Sequence, residues 1–226
     1  MKTESANLSA AEIRERIWLS IAEKRLRPGL RLKEEELAEV FDVSRARVRQ
    51  VLAMLASDGL VTILPNRGAF VSEPTAQEAQ DVFHVRKLVE DRVIERLIGR
   101  LTPDDFARLE AHVAAENVAH QKGDTSEAIQ LAGAFHVLLA ELCDSAFLLG
   151  IMRDLNSRSS LITAIYRVKH LHNCAPIDHE GLIEALRAGD CARAQSAMRK
   201  HLENVEAELD LSKETGAIRD LRQAFG

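Results

Sequence analysis

The sequence predicts a mainly α-helical protein: an N-terminal winged helix-turn-helix with a small β-hairpin wing, followed by an antiparallel bundle of six or seven helices. Three observations predict this class. Aromatic residues make up only 4% of a 226-residue chain that is 46% hydrophobic, and its abundant Ala, Leu, Glu and Arg lose little on entering a helix. Residues 33 to 64, KEEELAEVFDVSRARVRQVLAMLASDGLVTIL, hold two short amphipathic segments across a tight connection, the pattern of a helix-turn-helix. Beyond residue 75 apolar residues recur at helical spacing between well-marked caps.

Taken in order, residues up to about Ser9 are polar and loose, and Ile13, Ile17, Ile21 and Leu26 mark a helix with one apolar side that Arg27-Pro28-Gly29 ends. Two helices follow, Lys33 to Val40 and Ser44 to Asp58, joined by Phe41-Asp42-Val43. Val48, Val51, Leu52 and Leu55 form the stripe that anchors the second helix, while Arg45, Arg47 and Arg49 crowd its first two turns and make its other face the one that reads DNA. Leu60 to Leu64 and Ala69 to Ser72 then flank the turn Pro65-Asn66-Arg67-Gly68, giving a two-stranded wing. Arg67 at its tip suits a groove or a phosphate, and Gly68 lets backbone approach closely. An ordinary hairpin with a surface arginine is the plain alternative.

Glu73-Pro74 is a short linker, and Thr75-Ala76-Gln77-Glu78 is a capping box that opens the next helix. This divides the chain into 1–74, a DNA-binding domain, and 75–226, a ligand-binding and dimerisation domain. The helical segments are Ala76 to Ile98, Pro103 to Gln121, Thr125 to Leu142, Ala146 to Arg167, Pro176 to Ala188 and Asp190 to Leu211, with a tail helix after Thr215. Thr102-Pro103-Asp104-Asp105, Gly123-Asp124 and Gly189-Asp190 supply caps and stops. Short connections make neighbouring helices antiparallel.

The net charge of -5 conceals an asymmetry: 12 Lys and Arg against 11 Asp and Glu up to Pro74, a balance of +1, and 18 against 24, or -6, beyond it. Clustered arginines, not bulk charge, therefore carry the DNA reading. Cys143, Cys174 and Cys191 are odd in number and lack CxxC spacing, so buried, reduced thiols are expected rather than disulfides or a zinc knuckle. With no apolar leader and no 18-residue apolar run, the expectation is a soluble cytoplasmic protein without membrane contact.

Three histidines sit on apolar stripes of three different segments. His136 lies within AFHVLLAEL, His179 aligns with Leu182, Ile183 and Leu186, and His201 with Ala194, Met198 and Val205. Inward imidazoles from three helices can converge on one divalent metal, binding through one nitrogen each and leaving positions open for a ligand oxygen. They can equally be separate, hydrogen-bonded core histidines. Arg86, among Val82, Val89, Val93 and Leu97, needs an anionic partner, either Glu90 one turn on or the carboxylate of a bound ligand. Arg158, in register with Ile151, Leu155, Ile162 and Ile165, poses the same question.

RLRPGLRLKEEELAEVFDVSRARVRQVLAMLASDGLVTILPNRGAFV, together with AFHVLLAEL, DHEGLIEALRAGD and AMRKHL, resembles the GntR superfamily of bacterial transcription regulators. The resemblance is to its FadR-like branch, with an all-helical (FCD) C-terminal effector domain, and it covers nearly the whole chain. It implies a homodimer on a palindromic double-stranded DNA operator, a repressor that senses a small carboxylate. Arg45 and Arg49 match arginines that reach bases, and Gly68 the wing-tip glycine. Arg47 stands where the pattern has a proline or small residue, Glu35 where an arginine often touches DNA, Asp42 where the turn usually has glycine, and Ser145 where an asparagine is usual. His136, His179 and His201 match metal ligands, for zinc or nickel. The acidic ligand usual one turn before the first histidine is Ala132, a loss that weakens the site. Arg86 matches a cavity arginine. A metal-dependent hydrolase or a ligand-free dimerisation module are the competing readings; HExxH is absent and no Ser or Cys nucleophile motif occurs.

Overall fold

The computed structural model describes residues 8–23, 25–168 and 175–212. Among them nine helices and three strands form two compact units, one ending at Pro74 and the next beginning at Thr75. In the first, α1 (Ala10–Ala22) opens on a capping box between Ser9 and Glu12 and buries Ile13, Ile17, Trp18 and Ile21. It ends short of Leu26. That side chain is buried from a turn in which the Arg25 and Leu26 amides both donate to the Ser20 carbonyl, so its apolar register belongs to the core and not to the helix.

The helix-turn-helix is α2 (Glu34–Phe41) and α3 (Arg45–Ser57). Between them Asp42 caps α2 at φ 51°, ψ 50°, a left-handed conformation that its short polar side chain tolerates. Ser44 caps α3 by accepting from the Arg47 amide, and Val48, Val51, Leu52 and Leu55 are buried. The wing differs from expectation in having three antiparallel strands: β1 (Arg31–Leu32), β2 (Val61–Leu64) and β3 (Gly68–Val71), in the order β1-β3-β2. β1 pairs Arg31 with Phe70 and Leu32 with Ala69. A strand of two residues is too short to display alternation, so only its pairing reveals it.

The second unit is a bundle of α4 (Ala76–Leu97), α5 (Pro103–Lys122), α6 (Thr125–Leu142), α7 (Ala146–Tyr166), α8 (Ala175–Arg187) and α9 (Cys191–Ala207). Capping boxes at Thr75/Glu78 and Thr102/Asp105, a left-handed Gly123 before Asp124, and Ser145 and Asp190 as N-caps punctuate it. α4 packs on α7 and α9, α5 on α6 and α8, α6 on α7, and α8 on α9. Ile94, Leu97, Leu109, Phe135, Leu139, Leu182, Met198 and Leu202 lie in their common core. The last helix stops at Ala207 rather than Leu211. There the chain turns back on the end of α7, with Arg167 bridged to Leu209 and paired with Glu208 at 2.6 Å. Cys143 is a buried free thiol, whereas Cys191 is only half-buried; Cys174 and the tail helix after Thr215 lie outside the described residues. No helix among the described residues is long and apolar enough to cross a membrane.

The left-handed cap yields a test. Asp42→Gly raises the stability of the first unit by about 1 kcal/mol, and Asp42→Val lowers it by about 1–2 kcal/mol, because a β-branched side chain pays the full left-handed penalty. The single tryptophan, Trp18, is buried in this unit, so its fluorescence through a urea titration reads the change. Equal midpoints for the two variants would contradict the assignment.

Candidate functional site

Three helices bring the predicted histidines together. His136 comes from α6, His179 from α8 and His201 from α9, each at most 4% exposed, and one ring nitrogen from each lies within 4.8 Å of the others. Each ring is also held from behind by a carboxylate. His136 Nδ1 lies 2.5 Å from Glu90, His179 Nδ1 2.8 Å from Glu116, and His201 Nδ1 3.2 Å from Asp178. Where Nδ1 donates, Nε2 keeps its lone pair for the centre, the arrangement in which a carboxylate fixes the tautomer and orientation of a ligating imidazole. His179 and His201 meet Nε2 to Nε2 at 3.3 Å, close to the roughly 3.4 Å between two nitrogens on a tetrahedral ion with bonds of about 2.0–2.1 Å. Phe135 stacks on His179 with centroids 4.0 Å apart and closes the apolar side.

Electrostatics keep two of these rings, His136 and His179, neutral. Burial pushes the Glu90 carboxyl up, but the Arg86 guanidinium and the His136 ring outweigh it and hold it at about 2. Burial drives His136 down to about 3 despite Glu90, and His179 well below the ordinary histidine value, with His201 adding to the effect. Asp178 remains low because hydrogen bonds from His201 and Asn204 overcome its burial. Glu116 goes the other way: burial raises it to about 7, only partly offset by His112 and His201.

Beside the histidines lies a cavity of about 50 Å³ bounded by Arg86, Ala132, Gly133, His136, Asn156, Ser159 and His201 among others. Arg86 is 5% exposed and pairs with Glu90 at 2.8 Å while Nη1 donates to Ser159. The internal partner is therefore present, and the guanidinium still borders the cavity. Arg158 does not. It lies on the outer face of α7, its side chain 49% exposed and paired with Asp154 one turn away, so the structure does not bring this expected ligand-binding residue to the cavity. Ser159, the next residue, faces inward instead, since α7 turns by about 100° per residue.

In the first unit, Arg45 and Arg49 are exposed on α3 and share acidic neighbours from α2. Arg45 lies 2.9 Å from Glu35 and 3.6 Å from Glu34, and Arg49 is 3.7 Å from Glu34. Glu35 thus engages Arg45 directly. Arg47 is set apart: half-buried, it donates to the Leu8 carbonyl at 3.4 Å and ties α3 to the approach to α1. At the wing, Arg67 is exposed with its guanidinium 6.0 Å over Phe70, and Gly68 has φ 98°. Arg31 of β1 lies against Gly68, 3.4 Å from where a Cβ would stand, a basic neighbour that the sequence had not singled out.

The family of bacterial regulatory proteins, gntR family, matches residues 9–71, and the FCD domain matches residues 81–204. The chain belongs to the GntR family. HTH-type transcriptional repressor RspR of Escherichia coli (strain K12) is 25% identical over 185 residues, which cover 79% of this chain and 78% of that protein. An uncharacterized HTH-type transcriptional regulator in unstable DNA locus, from Streptomyces ambofaciens, is 30% identical over 184 residues, 80% and 76% of the two chains. Among solved structures, E. coli McbR/YncC superposes with a TM-score of 0.74 over 88% of this chain and 95% of that one, at 20% identity, a likeness of fold. This GntR-family member is accordingly a DNA-binding transcription regulator with an FCD domain, and not the hydrolase that three histidines alone could suggest.

Sequence reasoning named Glu90 but gave no role to Glu116 or Asp178. Glu116 continues the stripe Leu109, Val113, Glu116, Ala119, all buried on α5; a lone acid on such a stripe is the signal that marks it. The buried pair generates a prediction. Arg86→Ala leaves the Glu90 charge uncompensated and destabilises the second unit by about 3–5 kcal/mol, while adding Glu90→Ala recovers a large part of the loss. Urea unfolding of the two single variants and the double variant measures the coupling, and additive losses would show the pair to be independent.

Proposed function

We propose that this regulator, as a homodimer, binds a palindromic operator through Arg45, Arg49 and the wing, and represses transcription until a small carboxylate enters the cavity beside a metal held by His136, His179 and His201. The observation that carries the reading is the set of three buried imidazoles, each oriented by its own carboxylate, two of which, His136 and His201, border a cavity that a buried arginine also lines. As a DNA-binding regulator it acts in the cytoplasm. Val85 and Leu88 on α4 and Phe147 on α7 are exposed apolar side chains, which supports self-association through the second unit.

The donor set fits a divalent ion such as zinc or nickel, which when bound would offer open positions to a ligand oxygen. Ala132 removes a direct acidic ligand and borders the cavity instead. Glu90, Glu116 and Asp178 supply negative charge from behind the rings, a compensation that reaches the centre through the imidazoles rather than by direct ligation. Effector control then follows from differential affinity: a carboxylate that favours one arrangement of the dimer shifts its population, and with it DNA binding. Gel-shift assays on DNA upstream of the protein's own operon, with and without candidate acids, test this; binding indifferent to both sequence and acid would overturn it.

Arg45 and Arg49 suit bidentate reading of guanine, and Arg67 a phosphate. Arg49→Ala is expected to cost roughly 1–3 kcal/mol and to relax the preference at one base pair, whereas Arg67→Ala weakens all sequences alike and lowers the salt slope by about 1. Binding to a panel of singly substituted operators across a salt series separates these patterns. Arg47, tied to Leu8, contributes little in either respect.

Loading the histidines has its own pH signature. Below about pH 7 Glu116 is protonated in the metal-free protein and can donate to His179 Nδ1, which leaves the His179 proton on Nε2, facing His201. Freeing that nitrogen shifts the proton to Nδ1 and expels the one on Glu116. Zinc titration at pH 6 should therefore release about one proton more than at pH 8. Calorimetry in buffers of differing ionisation enthalpy counts it, and Glu116→Gln abolishes the difference. A release equal at both pH values would contradict this proton inventory.

A further inference from the structure

The outer face of the wing sheet carries two arginines that no acid neutralises. β1 sets Arg31 opposite Phe70 of β3. Ala69 and Val71 are buried, and side chains alternate along a strand, so Gly68 and Phe70 share the outer face with Arg31. Arg31 is exposed there. Its guanidinium runs diagonally toward the tip, with Nε 3.4 Å and Nη2 3.5 Å from where a Cβ on Gly68 would stand. Arg67 reaches the same Phe70 ring from the tip, its guanidinium 6.0 Å from the centroid.

Among the described residues neither Arg31 nor Arg67 has an ion pair, whereas Arg45 and Arg49 of α3 each lie against Glu34 or Glu35. Two guanidinium groups flanking one ring repel each other, and an acid beside them would relieve the repulsion. Without one the local field stays positive, which suits a polyanion. Gly68, left-handed at φ 98°, puts no side chain between Arg31 and the tip. The Arg31 stem is spent in crossing its own sheet. A side chain held in this way offers charge to a phosphate oxygen at the protein surface, while reading a base edge needs one that projects into the groove.

We propose that Arg31 is a phosphate anchor which, with Arg67, clamps the DNA backbone beside the wing, a contact that positions α3 and carries no sequence information. This rests on the DNA-binding reading of the first unit and adds to it a residue that lies outside both the recognition helix and the tip of the wing.

The test uses the full-length protein and two duplexes of equal length, one from upstream of its own operon and one with the same bases scrambled, titrated by fluorescence anisotropy from about 50 to 200 mM salt. Arg31→Gln keeps the stem and removes the charge. It weakens binding to both duplexes alike by about tenfold, and the slope of log affinity against log salt becomes shallower by about 1 for each bound chain. Arg31→Lys keeps the wild-type slope. The urea midpoint read by Trp18 stays at the wild-type value in both variants, since Arg31 is exposed; a lowered midpoint would make the role structural and overturn the proposal. A slope unchanged in Arg31→Gln, or a loss as large in Arg31→Lys, would overturn the phosphate contact while leaving DNA binding in place. A loss confined to the upstream duplex would make Arg31 a base reader and overturn the assignment likewise. Wild-type protein that binds neither duplex would overturn the DNA-binding reading itself.

Discussion

The second unit depends on one buried carboxylate. Glu90 of α4, 1% exposed, stands between the Arg86 guanidinium and the His136 ring. Arg86 keeps it ionised, and in turn it holds the Nδ1 proton of His136. Either partner alone would leave a charge or a dipole unmet in the apolar interior, at a cost of several kcal/mol. The same guanidinium crosses to Ser159 of α7, so a single polar chain joins three helices and fixes the direction in which one imidazole points. Glu116 and Asp178 stand likewise behind His179 and His201, each within hydrogen-bond distance of Nδ1. His136 and His179 are held neutral by burial, and a neutral imidazole is what a metal ion requires of histidine.

The first unit solves a different problem, that of displaying positive charge without binding every polyanion. Glu34 and Glu35 lie beside Arg45 and Arg49 on an exposed face. Such pairs add little to stability because water screens them, and on the proposed reading of Arg45 and Arg49 they are exchanged for contacts with DNA. Bases offer directed acceptors that repay the exchange better than diffuse phosphate charge does. Near-neutral overall charge in this unit and a concentrated arginine cluster are then compatible.

Much of this was legible in the sequence because it is written in local physics. Thr75/Glu78, Thr102 before Pro103, and Gly123 before Asp124 cap helices wherever they occur, and the bundle's boundaries fall within a few residues of those signals. The inward histidines were legible from helical stripes. What escaped depends on tertiary packing: β1 exists only as a partner of β3, Leu26 is buried from a turn, and α9 ends where Arg167 and Glu208 pair. Arg158 and Ser159 are adjacent in sequence and opposite in exposure, a distinction of one residue that apolar spacing resolves poorly. Arg31 and Gly68 matter to each other only through the pairing of β1 with β3.

The account turns on whether carboxylate-oriented histidines form one metal centre. X-ray absorption at the zinc edge of the protein loaded with one equivalent of zinc addresses this directly. The account predicts three imidazole nitrogens at about 2.0–2.1 Å completed by oxygen, with one of the imidazoles lost in His179→Ala. A sulfur-containing shell, or zinc that fails to bind at one ion per chain, would contradict it.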